Sequence, residues 1–197
     1  MPNFDQGALE RELTRDEGVS FAVYVDTTGN PTVGIGHNLN AGPLPGQTYP
    51  MTQAQVDALF AKDVAGTVAK LDAYLPWWRT LDDVRQRVLI NMCFNLGIGR
   101  PGAGTGLLGF PNTLALIKSG DYSSAASAML KSLWARQVGA RANRLAAMME
   151  TGTAPANSPL PRPTPVPAPS PQPTTGLWAL VLQIIAAFAA LFKRNPK

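Results

Sequence analysis

Residues 15–40, RDEGVSFAVYVDTTGNPTVGIGHNLN, decide how this chain is organised. Before them, Phe4, Ala8, Leu9 and Leu13 recur at helical spacing, so Gly18 predicts the stop of a first helix running from Asn3 or Asp5 to Glu17. FAVYV and TVGIG then carry β-branched and aromatic residues on either side of TTGN, which predicts two short paired strands. Glu17, Asp26 and Thr32 stand in this segment, with Asp16 as its only other acid. Glu17 falls in the last helical turn, where exposed carbonyls make the dipole end negative and favour an acid that keeps its proton. General acid catalysis needs such a group. With a turn centred on Gly29, Thr32 lies opposite Asp26, so a carboxylate and a hydroxyl become neighbours across a hairpin. An acid, a second carboxylate and a hydroxyl able to hold water are the parts that glycoside hydrolysis uses. Spacing alone leaves the plainer alternative open, that Asp26 serves only the turn.

Downstream the pattern is helical. After the Gly- and Pro-rich NAGPLPGQTYP, the capping box Thr52-x-x-Gln55 opens a long helix with Val56, Leu59, Phe60, Val64, Val68 and Leu71 on one side. PWW interrupts it. A second box, Thr80-x-x-Asp83, predicts the start of a helix that turns Val84, Val88, Met92 and Leu96 to a core and stops at Gly97. RPGAGTGLLG reads as a flexible loop, and three more helical stretches follow around 112–118, 122–137 and 141–150. The expected class is α+β, mostly helical, with one small antiparallel sheet near the N-terminus.

Composition narrows the field. The formal charge of +4 and isoelectric point near 9.5 point either to an anionic surface or simply to solubility. No Lys- and Arg-rich run with interleaved aromatics occurs, so nucleic acid is not expected as a partner. One cysteine, Cys93, in an apolar segment predicts an inert buried thiol. With one histidine and one cysteine, no zinc site and no metal is expected. MPNFDQGALERELTRDEG lacks an apolar core, so a secretory signal is not expected either.

The 18 prolines are concentrated. In PLPRPTPVPAPSPQP, residues 159–173, every second residue is proline, which excludes helix and sheet ladder alike. The expected form is an extended spacer of about 50 Å, with a ligand for aromatic-lined recognition domains as the alternative. GLWALVLQIIAAFAALFKRNPK follows. Leu177–Phe192 carries no charge and would be roughly 24 Å long as a helix. That is short for a bilayer core, but Trp178, Lys193, Arg194 and Lys197 are interface anchors, so a membrane-inserting helix is expected. Ala179, Gln183, Ala186 and Ala190 form a small side on which copies can self-associate. The expected organisation is a catalytic domain at 1–156, a linker at 157–175 and a membrane helix with a basic tail at 176–197.

Asp16-Glu17-Gly18 followed by Y-x-D-T-x-G-x-x-T-x-G-I-G-H resembles the active-site signature of the phage-type lysozymes, glycoside hydrolase family 24. The likeness continues through LFAKDV, LDDVRQRVLINMCFNLG, FPNTLALIKSGDY and SLWARQ…RANR…TG, covering about residues 4–153. The resemblance implies a lysozyme-like fold and hydrolysis of the bond between N-acetylmuramic acid and N-acetylglucosamine in peptidoglycan, with inversion and no cofactor. It makes Glu17 the general acid, with Asp26 and Thr32 activating or holding the water. It pairs Arg141 with Glu17, assigns His37 and Asp63 to a structural ion pair, and places Phe94 and Thr113 in the substrate cleft. Asn38 and Ala128 depart from the family at cleft positions, and the loop from Ile98 to Gly109 is longer and richer in glycine.

The function expected is that of an endolysin lysing a bacterial host, with residues 177–192 in the host membrane. The basic tail favours the inner membrane with the catalytic domain facing the wall; the alternative is a cytoplasmic enzyme awaiting holin-dependent release. A lytic transglycosylase would need the acid without Asp26 and Thr32. An inactive wall-binding module, or a membrane-permeabilising protein with an accessory wall domain, completes the alternatives.

Overall fold

Asp5 accepts the Ala8 amide at 2.9 Å and so opens the first helix, α1, at Gln6–Glu17. Gly18 ends it with a positive φ that permits the turn into the sheet. A computed structural model describes residues 4–26 and 29–155. The expected linker at 157–175 and membrane helix at 176–197 lie outside them. Among the described residues, no helix is long and apolar enough to cross a membrane.

The sheet has three antiparallel strands in the order β1 (Ser20–Val25), β2 (Pro31–Gly34) and β3 (His37–Asn38). TVGIG therefore does not form one strand. Gly34 and Gly36 both take positive φ and turn the chain within the motif, which creates the unexpected third strand. Thr32 pairs with Tyr24, not with Asp26, because the hairpin centres one residue before Gly29. A register shift between Ser20 and Tyr24 twists β1 locally.

Helix α2, Gln53–Tyr74, carries the expected capping box: Thr52 accepts the Gln55 amide and Gln55 accepts the Thr52 amide. Helix α3, Asp83–Leu96, starts differently from expectation. Its cap is Asp82, which accepts the Arg85 amide at 3.0 Å. Thr80 instead closes a 3-10 turn opened by Pro76, donating to the Trp77 carbonyl at 2.8 Å. Nor is α3 a one-sided helix. Val88, Leu89, Ile90, Met92 and Cys93 are all buried, together with Gln86, Arg87 and Asn91, so it is the spine of the core. Burial pushes the Cys93 thiol up to about 11, consistent with an inert packing residue.

After α3, the loop 98–109 has a defined base, where the Leu107 and Leu108 amides donate to the Gly97 and Ile98 carbonyls. Gly99 and Gly106 cross there so closely that a Cβ on Gly99 would sit 1.8 Å from the Thr105 carbonyl oxygen. The helices α4 (Pro111–Ser119), α5 (Tyr122–Leu130), α6 (Leu133–Val138) and α7 (Ala140–Thr151) complete the domain. The single stretch expected at 122–137 is two helices, because Ser132 accepts the Ala135 amide and starts a new one.

Candidate active site

The end of α1 is held from α7 and α3. Arg141 on α7 is 6% exposed, and its Nη1 donates to Glu17 Oε1 at 2.7 Å. Its Nε and Nη2 donate to the side chain and backbone carbonyl of Asn91 on α3, at 2.9 and 3.2 Å. Asn91 then donates to Asp16 Oδ2 at 3.0 Å. Asp16 also accepts from Arg15 Nε at 3.1 Å and pairs with Arg144. Burial pushes the Asp16 carboxyl up, but the hydrogen bonds from Arg15 and Asn91 and the charges of Arg15 and Arg141 outweigh it. The net result lies below its ordinary value.

From the other side, the Gly34–Gly36 turn closes on Glu17. A Cβ on Gly36 would lie 3.2 Å from Glu17 Cγ and Oε2, and Gly36 has φ +70. Only glycine fits there without strain or displacement of the carboxyl. The Glu17 side chain remains 18% exposed, open to solvent and to a ligand.

Tyr24, Asp26 and Thr32 share one face of the hairpin: alternate residues of a strand point the same way, as do directly paired residues. Tyr24 joins the two acids electrostatically. Burial, then the charges of Glu17 and of Asp26, push its phenol up. Asp26 Oδ1 accepts the Asn30 amide at 2.8 Å, fixing the carboxylate at the turn. Thr32 is buried, and its hydroxyl donates to the Asn30 carbonyl at 3.2 Å, so Asn30 links the acid to the hydroxyl.

The remaining sequence-derived positions fall into separate groups. His37 Nδ1 lies 2.7 Å from Asp63 Oδ2 and its Nε2 lies 2.6 Å from the Gly42 carbonyl oxygen, joining β3 to α2 and the following loop. Phe94 is half-buried on α3 beside Phe60, with ring centroids 6.0 Å apart. Thr113 is buried on α4 and takes no part in the hydrogen-bond network around Arg141. Among the described residues, no group of three or more His, Cys, Asp or Glu side chains is placed to hold a metal ion.

Sequence reasoning missed Asp16, Tyr24, Asn91 and Arg144. Asn91 and Arg144 each left a signal. Asn91 is an amide inside the apolar run LINMC, and Arg141 and Arg144 stand three residues apart on one helix face.

The phage lysozyme family profile matches residues 14–150, which span α1 from its last turn to the end of α7. The chain belongs to the phage lysozyme family. Its class is that of the glycoside hydrolases, the lysozymes. "Probable T4-type lysozyme 1" of Dictyostelium discoideum is 31% identical over 171 residues, covering 76% of this chain and 97% of the relative. "Probable T4-type lysozyme 2" of the same organism is 26% identical over 168 residues, covering 74% and 95%. The pre-baseplate central spike protein Gp5 of Enterobacteria phage T4 is 30% identical over 172 residues. That match takes in 77% of this lysozyme chain but only 28% of the spike protein's length.

Proposed function

We propose that this lysozyme hydrolyses the β-1,4 bond between N-acetylmuramic acid and N-acetylglucosamine in bacterial peptidoglycan, and that it lyses a bacterial host. Glu17 is the general acid that protonates the leaving glycosidic oxygen. Asp26 and Thr32 position or activate the water that attacks the sugar. The observation that carries this reading is the placing of Tyr24. Its phenol feels both Glu17 and Asp26, while Asp26 and Thr32 share its face of the hairpin. Two carboxylates flanking one surface, one of them on an arginine, are the working parts of glycoside hydrolysis. Phe94 and Thr113 are the proposed substrate contacts.

Turbidity clearance of purified peptidoglycan tests the assignment. Glu17→Gln and Asp26→Asn should each lower the rate by at least about a hundredfold. Full activity in Asp26→Asn would favour a lytic transglycosylase, which needs no activated water.

The apolar sequence 177–192 and the basic residues after it support a further part of the proposal, an association with the host inner membrane. The enzyme domain then faces the wall across the proline-rich linker, and copies pair through Ala179, Gln183, Ala186 and Ala190. Cytoplasmic enzyme released through a holin lesion is the competing route. Sedimentation of the full chain with anionic vesicles, lost in an Ile184→Asp, Ile185→Asp variant, supports membrane association; equal sedimentation of both proteins removes it.

A further inference from the structure

Asp16 is the acid in the opening segment to which the proposed reaction gives no part. It is nevertheless more elaborately held than Glu17. Its side chain has no exposed surface. Glu12 and Arg15 face it from α1, Asn91 from α3, and Arg141 and Arg144 from α7. Oδ1 takes Arg15 and Arg144, while Oδ2 takes Asn91 at 3.0 Å and stands 3.7 Å from Arg141 Nε. Arg141 is thus shared. One edge of its guanidinium lies against Asp16 and Asn91, and Nη1 is left for Glu17. Besides Arg141, Glu17 faces the Tyr24 phenol from β1 and the Gly36 backbone.

We propose that Asp16 is a positioning residue for the reaction: through Asn91 and Arg141 it fixes the Glu17 carboxyl and divides the guanidinium charge that Glu17 feels. This rests on Glu17 being the general acid. A guanidinium without a second anion would give Glu17 its whole charge and favour the carboxylate over the acid. Arg144 has the opposite effect. It occupies Asp16 from the solvent side, and without it Asp16 would draw more on Arg141.

Two variants that leave Glu17, Asp26 and Thr32 in place therefore have opposite signatures in the pH dependence of kcat/KM on soluble peptidoglycan fragments. Asp16→Asn, similar in size and still able to hydrogen-bond, should move the alkaline limb to lower pH by roughly one unit. Arg144→Gln should move it to higher pH. A purely structural role would lower the rate or the melting temperature and leave both limbs where they are. A profile of either folded variant that superposes on the unmodified enzyme, or a shift of both in one direction, overturns the proposal. If near-ultraviolet circular dichroism shows Asp16→Asn to be unfolded, the direction of the Arg144→Gln shift decides alone. An unmodified chain that cleaves no peptidoglycan would overturn the glycosidase reading, and the inference with it. Superposed profiles from active enzymes overturn the inference only.

Discussion

Arg141 Nη1 reaches Glu17 Oε1 at 2.7 Å across 124 positions of sequence. The contact joins α1 to α7 and is made by Arg141, a residue that is 6% exposed. Removing that arginine leaves two carboxylates, Asp16 and Glu17, without their shared cation. Arg141→Met should therefore destabilise the domain by about 3–5 kcal/mol, the usual cost of breaking a buried pair from one side. Urea unfolding at neutral pH measures it; a loss below about 1 kcal/mol would mean that Arg144 and Arg15 suffice.

Gly36 tests the packing of the acid from the opposite side. Gly36→Ala places a methyl 3.2 Å from Glu17 Oε2 at a positive φ. The backbone strain should cost about 1–2 kcal/mol. Displacing the carboxyl should lower clearing activity by at least about tenfold, since small errors of position are costly in catalysis. Measuring activity well below the variant's melting temperature separates the two effects.

Glu12 and Arg87 form a second buried pair, at 2.6 Å, between α1 and α3. It is poorly satisfied: Glu12 Oε2 and Arg87 Nε are buried without a hydrogen-bond partner. Arg87→Met alone should destabilise, because it strands the buried Glu12 carboxylate, whereas Arg87 keeps Asp83 Oδ2 at 3.2 Å when Glu12 is lost. The double variant Glu12→Met, Arg87→Met should match the parent or exceed it by about 1–4 kcal/mol. A double variant as weak as the single one would show that the pair is net stabilising.

The two buried acids of α1 should respond to pH with opposite signs. Burial raises Glu12 above its ordinary value of 4.5 despite the charges of Arg87 and Arg15. Its folded state therefore binds the proton more tightly, and its contribution to stability grows as pH falls from neutrality through the raised value. Asp16 lies below its ordinary value of 3.8. Its contribution is present above that value and is lost as pH falls below it. Stability relative to Glu12→Gln should rise on acidification to about pH 4.5, and stability relative to Asp16→Asn should fall below about pH 4. Denaturant midpoints at matched ionic strength across this range check both slopes.

The helical skeleton was legible because it rests on local chemistry. Thr52 and Gln55 cap α2 as their spacing implies, and Gly18 and Gly97 end α1 and α3. The hairpin register was not legible. Where a turn centres depends on which backbone amide the Asp26 carboxylate captures, and spacing from Gly29 pointed one residue too far. Thr80 is taken up by the 3-10 turn that Pro76 opens, where it donates to the Trp77 carbonyl, so Asp82 caps α3 in its place. Glu17, Asp26 and Thr32 were legible through the signature they belong to, since spacing alone left Asp26 as ordinary turn chemistry. The parts of Asp16 and Asn91 were not legible, because the arginines that explain their burial come from the far end of the domain.

Digestion of peptidoglycan in H2(18)O, with the new ends read by mass spectrometry, tests the central claim most directly. The account predicts reducing N-acetylmuramic acid ends, each carrying one atom of 18O from solvent, and essentially none from Glu17→Gln. Anhydromuramic ends without the label, or undiminished cleavage by Glu17→Gln, would contradict it.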